Sequence, residues 1–101
     1  MKKLIFLFSL FIAFQAVAQE GIRFRHCSWE EAKAMAKKEK KPIFIDFYTQ
    51  WCGPCLNMDE NIFTLGSVGN FYNDHFVCLK IDAETGEGVE LAKKYEVASF
   101  P

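Results

Sequence analysis

Apolar residues form two short runs whose pattern is typical of β-strands. Residues 43–48 are apolar on both faces, which favours a central strand of a parallel sheet that is covered on both sides. In the second run, Val77, Leu79 and Ile81 alternate with other residues, as strand positions do. A helix between the two runs would make them a βαβ unit, in which the strands are parallel and the crossover is right-handed. The pattern therefore predicts an α/β fold.

Three further segments have the periodicity of amphipathic helices. The first begins at Ser28 and Glu31, which are spaced as a capping box, and it ends in a basic run at residues 37–41. A second helix is predicted over residues 52–63 and a third over residues 89–95. These helices would flank the two strands along the chain.

Two connecting segments have weaker patterns. Residues 19–27 alternate apolar and basic positions, as a short edge strand or an arm would. Residues 68–72 follow a glycine-containing stretch, and we expect a short irregular or helical turn there.

The N-terminus has the pattern of a secretory signal peptide. A basic start precedes an apolar stretch that is too short to span a membrane, and residues 15–18 end in the small-x-small pattern of a cleavage site. Gln19 stands where a lipoprotein would have cysteine. The sequence predicts a leader over residues 1–18, a single domain over residues 19–101, and an exported, periplasmic or secreted protein that has no membrane attachment after cleavage.

The charge balance disfavours two classes of partner. Removing the leader, which carries two lysines, lowers the basic count from 12 to 10 against 13 acidic residues. A slightly acidic domain gives no support to binding of nucleic acid or of an anionic membrane. All four cysteines lie in the mature part and would meet an oxidising compartment, so a purely structural disulfide framework is one possible use for them.

The motif Cys52-Gly53-Pro54-Cys55 is the strongest chemical feature of the chain. A thiolate at the start of a helix is stabilised by free backbone donors and by the helix dipole, which makes Cys52 the expected nucleophile. Cys55, one turn into the helix, is the expected resolving thiol. Gly53 permits a tight turn, and Pro54 is compatible with a first helical turn. No cofactor is required beyond the redox-active disulfide that the two cysteines can form.

Asp46 is unusual because it lies in the middle of an apolar strand. A buried carboxylate is desolvated, so its pKa is expected to rise unless a cation pairs with it. Asp46 is therefore a candidate proton carrier.

Metal binding is an alternative use of the same cysteine spacing. His26, Cys27 and Cys78 could in principle complete a ligand set with the two cysteines of the motif. A second closely spaced ligand pair is missing from the sequence, and Leu56 stands where a haem-attachment motif requires histidine. We therefore predict no metal site.

The segment Asp46-Phe47-Tyr48-Thr49-Gln50-Trp51-Cys52-Gly53-Pro54-Cys55 closely resembles the active-site segment of thioredoxins. Residues 95–101, at the end of the chain, are similar to the family's segment that leads into the cis-proline loop. Residues 79–82, which lie between these two segments, are similar to the end of a strand in the family. The resemblance covers roughly residues 42–101. Together with the leader it indicates a secreted bacterial thioredoxin-like protein.

The resemblance implies roles for individual residues. It makes Asp46 the group that assists proton transfer at the resolving cysteine, Trp51 a shield for the dithiol, and Pro101 a cis-proline preceded by a residue that binds the substrate backbone. The Gly-Pro pair between the cysteines is that of the reducing members of the family. The residues expected to contact substrate surround the dithiol and the proline loop: Trp51, Gly53, Pro54, Phe100 and Pro101.

Two cysteines depart from the family pattern. Thioredoxins usually carry a lysine near the buried aspartate, two places before the position of Lys80, and here that place is Cys78. Cys78 is expected to share a face of the strand with Lys80 and to be a buried small residue. The alternative is that Cys78 lies near Asp46 and influences it. Cys27 has no counterpart in the family pattern.

The resemblance also predicts elements beyond residue 101. A thioredoxin fold continues with an antiparallel hairpin, which pairs with the strand that holds Asp46, and with a final helix. A strand that lacks this neighbour has an open edge. The sequence is therefore expected to be a truncated product that contains the parallel βαβ half of the fold, with the C-terminal hairpin and last helix missing.

The leading functional hypothesis is an exported thiol-disulfide oxidoreductase that reduces or exchanges protein disulfides. Its partners would be disulfide-containing protein substrates and an electron-donating thiol-disulfide protein. The alternatives are a non-catalytic thioredoxin-like binding module and a non-functional fragment of a longer oxidoreductase.

Overall fold

Two parallel strands, β1 (Ile43–Tyr48) and β2 (Val77–Asp82), form the centre of the fold in a computed structural model that describes residues 21–101. The register pairs Ile43 with Val77 and continues without a break to Tyr48 and Asp82. The two predicted strands and their parallel pairing are confirmed. The predicted leader lies outside the described residues.

Within residues 21–101, four helices surround the strands: α1 (Trp29–Glu39), α2 (Gly53–Asn61), α3 (Gly66–His75) and α4 (Gly88–Lys94). The helix predicted over residues 52–63 is α2, and the one predicted over residues 89–95 is α4. Of the short irregular or helical turn expected near residues 68–72, the helical alternative is observed, but it is longer than expected and forms the helix α3, whose Gly69 is buried. Glycine there disfavours a helix in isolation, so packing of α3 in the folded protein outweighs local propensity.

The first helix begins as its sequence predicts. The Ser28 side chain accepts a hydrogen bond from the Glu31 backbone N–H, and the Glu31 carboxylate accepts one from the Ser28 backbone N–H. Lys40 closes the helix in the left-handed conformation, with φ of 57°. This helix delivers the chain to the start of β1.

The segment before α1 lies along the free edge of β2. Arg25 forms an isolated parallel bridge with Leu79, and its backbone N–H donates to the Cys78 carbonyl at 2.8 Å. The Arg25 guanidinium binds both carboxylate oxygens of Glu39 at 3.0 and 3.1 Å, which attaches this segment to the end of α1. Of the two predicted alternatives, the structure shows an arm with a single bridge.

The two faces of the sheet pack against different helices. On one face, Phe47 forms a buried cluster with Ala83 and Leu91, and Trp29 packs against this cluster. On the other face, Phe44 is surrounded by aromatic rings from the flanking segments, at centroid distances of 4.8 to 6.5 Å: Phe24, Phe63, Tyr72 and Phe76. Coverage of both faces explains why β1 is a nearly continuous apolar run. Within residues 21–101, no helix is both long and apolar enough to cross a bilayer.

Candidate active site

Cys52 and Cys55 are joined by a disulfide at the N-terminus of α2. Cys52 is the N-cap residue, and its sulfur accepts a hydrogen bond from the Cys55 backbone N–H at 3.1 Å. Pro54 occupies the first turn, where its missing N–H leaves no donor unsatisfied. After reduction, the same backbone donor and the helix dipole would stabilise a thiolate on Cys52. Both residues are buried, with Cys52 7% exposed and Cys55 3% exposed.

Trp51 stands beside the disulfide and is 69% exposed. Its indole Nε1 donates to the Glu84 carboxylate at 3.0 Å, and its ring forms a T-shaped pair with the Phe100 ring at a centroid distance of 6.1 Å. The Phe100–Pro101 peptide is cis, as the resemblance implies. The structure thus brings Phe100 next to Trp51, the residue that precedes the disulfide.

An open cavity of about 280 Å³ adjoins the disulfide. Its lining includes Trp51, Gly53 and both cysteines, together with Asp59 of α2. A space of this size admits several water molecules or a substrate side chain.

Asp46 is 5% exposed in the middle of β1, and its register partner is Lys80 of β2. The Lys80 ammonium lies 3.7 Å from the Asp46 Oδ2 atom and also contacts the Asp59 carboxylate. Burial raises the pKa of Asp46, and the Lys80 ammonium opposes that rise. A carboxyl group with a raised pKa can exchange a proton nearer to neutral pH than an exposed aspartate can.

The sequence of the chain is similar to those of known proteins with a thioredoxin-like fold. The model of the family described as thioredoxin-like matches residues 24–101, which is most of the chain. The chain belongs to the thioredoxin-like family. A curated relative, Thioredoxin-1 of Drosophila yakuba, is 39% identical over 69 residues, which is 68% of this chain and 60% of that protein. The chain therefore spans about 60% of the length of this relative and of its Drosophila melanogaster counterpart.

Solved structures of thioredoxin-like proteins show the same fold. A putative disulphide-isomerase from Bacteroides thetaiotaomicron is 48% identical, with a TM-score of 0.72 over 81% of this chain and 68% of that one. A thioredoxin from Thermus thermophilus is 26% identical, with a TM-score of 0.70 over 80% of this chain and 61% of that one. The predicted thioredoxin-like fold is confirmed by these similarities.

The cation beside the buried aspartate is not at the position expected from the thioredoxin pattern. That position is Cys78, which lies opposite Phe44 in the register, and its sulfur is within 3.6 and 3.8 Å of the Tyr72 and Phe76 carbonyl oxygens. Lys80, two residues later on the same face of β2, reaches Asp46 instead. Asp46 thus has a cationic partner in this thioredoxin-like chain, and Cys78 is a buried residue of the strand.

Sequence reasoning missed Lys80 and Asp59 as parts of this site. The available signals were the alternation of β2, which puts Lys80 on the face of Cys78, and the four-residue spacing between Cys55 and Asp59, which puts them on one face of α2. Neither signal shows that the Lys80 and Asp59 side chains are in contact. That contact depends on the strand register and on how α2 packs over the sheet.

The two cysteines outside the motif lie apart from the disulfide. Cys27 is partly exposed before α1 and Cys78 is buried, and both are free thiols. Burial raises the pKa of both thiols, which favours the unreactive protonated form. Within residues 21–101, no three side chains of His, Cys, Asp or Glu are grouped closely enough to hold a metal ion.

Proposed function

We propose that the protein is an exported thiol-disulfide oxidoreductase that reduces or exchanges disulfides in protein substrates. The observation that carries the proposal is the Cys52–Cys55 disulfide at the N-terminus of α2, in a chain of the thioredoxin-like family. The relatives named thioredoxin and disulphide-isomerase support this class of reaction. The export part rests on the predicted leader over residues 1–18.

The reaction starts from the reduced dithiol. The Cys52 thiolate attacks one sulfur of a substrate disulfide, which forms a mixed disulfide and releases the other substrate sulfur as a thiolate. Cys55 then loses its proton to Asp46, and the Cys55 sulfur attacks Cys52. The bond between Cys52 and the substrate breaks, and the second substrate sulfur leaves with the electron pair. The two substrate thiolates take up one proton from Asp46 and one from water, and the protein dithiol has been oxidised to the disulfide seen in the structure.

The surroundings of the dithiol suit an extended protein substrate. Trp51 is exposed beside the cysteines, its ring contacts Phe100, and Pro101 follows Phe100 through a cis peptide. In this proposal Gly53 and Pro54 allow the substrate to approach Cys52, and the Phe100 backbone binds the substrate chain. An electron-donating thiol-disulfide protein in the same compartment returns the disulfide to the dithiol.

Reduction of insulin disulfides by the protein, supplied with dithiothreitol, tests the activity. Cys52→Ser is expected to reduce the rate to that of dithiothreitol alone, and Cys55→Ser to accumulate mixed disulfides because the resolving thiol is missing. Cys27→Ser removes a thiol outside the motif and is the matched control, with activity expected to be unchanged. Equal rates for Cys52→Ser and the unaltered protein would contradict the proposed reaction.

Export is tested separately by expression of the full chain in a Gram-negative host. The expected result is protein in the periplasmic fraction that begins at Gln19. Uncleaved protein that remains in the cytoplasm would contradict the export part of the proposal without affecting the activity.

A further inference from the structure

Lys80 holds an ammonium group between two carboxylates of different exposure. Its Nζ atom lies 3.7 Å from Asp46 Oδ2 and contacts Asp59 Oδ2. Asp46 is buried, whereas the side chain of Asp59 is 29% exposed. The rings of Tyr48 and Phe24 lie 5.0 and 5.6 Å from the same nitrogen, within the range of cation–π interactions.

Asp59 connects this group to the helix that carries the dithiol. It follows Cys55 by four residues in α2, so the two side chains lie on the same face of the helix. Both residues also line the cavity beside the disulfide. Lys80 therefore joins the buried carboxylate of β1 to the face of α2 that bears the resolving cysteine.

We propose that Asp59 is a positioning residue that acts through Lys80 to set the protonation of Asp46, and thereby the proton transfer at Cys55. This inference rests on the proposed function, because it requires Cys55 to be a resolving thiol. Asp59 itself does not exchange a proton with the thiol in this scheme. It controls how much of the Lys80 charge is available to Asp46.

Coulomb interactions give the direction of the effect. The Lys80 ammonium stabilises the ionised form of Asp46 and lowers its pKa, whereas the negative charge of Asp59 raises that pKa and also attracts the ammonium toward α2. Lys80 from β2 and Asp59 from α2 are the charged groups that act on Asp46 within residues 21–101, alongside burial. Asp59 thus opposes the effect of Lys80 and keeps the pKa of Asp46 higher than Lys80 and burial alone would set it.

Carboxyl ¹³C NMR of the reduced full-length protein, titrated over pH, tests the coupling directly. Asp59→Asn is expected to lower the pKa of Asp46, because Lys80 is left with a single carboxylate partner. Lys80→Met is expected to raise it. Asp59→Glu retains the charge and should keep the titration near that of the unaltered protein. Opposite shifts of the Asp46 pKa from substitutions at two residues in contact are not expected from a merely structural role.

Glu60→Gln is the matched control, because it removes one negative charge from the next position of α2, at an exposed residue that has no ion pair within residues 21–101. A shift in Asp46 that is the same in Asp59→Asn and Glu60→Gln would overturn the proposal, since it would reflect net charge alone. The absence of a shift in both would overturn it as well.

A second experiment measures the reactivity of the Cys55 thiol. In the Cys52→Ser background, the pH dependence of Cys55 alkylation by iodoacetamide is expected to move when Asp59→Asn is added and to stay in place when Glu60→Gln is added. A profile that does not respond to Asp59→Asn would overturn the link to Cys55. Both measurements are independent of insulin reduction, so failure of the proposed activity and failure of this coupling are distinguishable.

Discussion

Asp46 is the residue whose environment differs most from that of an ordinary aspartate. It is buried in β1 with Lys80 beside it, and its pKa is raised chiefly by burial. The folded protein therefore binds the Asp46 proton more tightly than the unfolded chain does. The stability that this proton contributes is complete below the unfolded pKa of about 3.9, and it is lost as the pH rises through the higher pKa of the folded state.

We expect Asp46→Asn to stabilise the protein at pH 7 and to have little effect at pH 3. Asparagine is neutral at both pH values, so it avoids the burial of a charge, and Lys80 keeps Asp59 as its partner. Urea unfolding of the oxidised protein between pH 3 and pH 8 measures the difference in free energy. Asp74→Asn, at an exposed position of α3, is the control and should show no such dependence. Lower stability of Asp46→Asn at pH 7 would show that Asp46 is stabilised as an ion.

At the scale of elements, the junction between β2 and α4 depends on a glycine. A Cβ atom placed on Gly88 would lie 1.9 Å from the Asp82 carbonyl oxygen and 2.8 Å from the Ile81 side chain. The first of these contacts is with backbone, which cannot move aside without shifting the end of β2. Only glycine allows α4 to begin this close to the strand.

We therefore expect Gly88→Ala to destabilise the protein by roughly 1 to 3 kcal/mol, as overpacked sites do, or by more where the backbone cannot relax. Gly53→Ala is the matched control, because a Cβ atom there has no neighbour within 4 Å. Chemical denaturation of both variants measures the change. A Gly88→Ala protein as stable as Gly53→Ala would mean that α4 can move away from β2 without loss.

At the scale of the whole molecule, local patterns predict the elements, and long-range packing decides the rest of the site. The apolar run of β1, the alternation of β2 and the Ser28–Glu31 cap depend on neighbours in the chain, and each was predictable. The meeting of Lys80 with Asp46 and Asp59 depends on register and helix packing, which no short segment encodes. The length of α3 has the same origin, since packing of its buried Gly69 outweighs its weak propensity.

The stability of the whole molecule depends less on the Cys52–Cys55 disulfide than on packing of the core. The two cysteines are three positions apart. In the chain-entropy model, closing so short a loop raises the free energy of the unfolded chain by only roughly 2 kcal/mol. The buried cluster of Phe47, Ala83 and Leu91 and the aromatic residues around Phe44 do not include either cysteine. Packing of the two sheet faces, not the disulfide, is thus the main source of stability.

Reduction is therefore expected to lower the melting temperature while leaving the helices and the cooperative transition in place. Thermal unfolding followed by circular dichroism, with and without dithiothreitol, measures the effect. The double variant Cys52→Ser, Cys55→Ser cannot form the disulfide, so it should melt near the reduced protein and should not respond to dithiothreitol. A reduced protein without a cooperative transition would show that the disulfide holds the fold together. An oxidoreductase of the proposed kind requires the opposite, because its dithiol form must stay folded to attack a substrate.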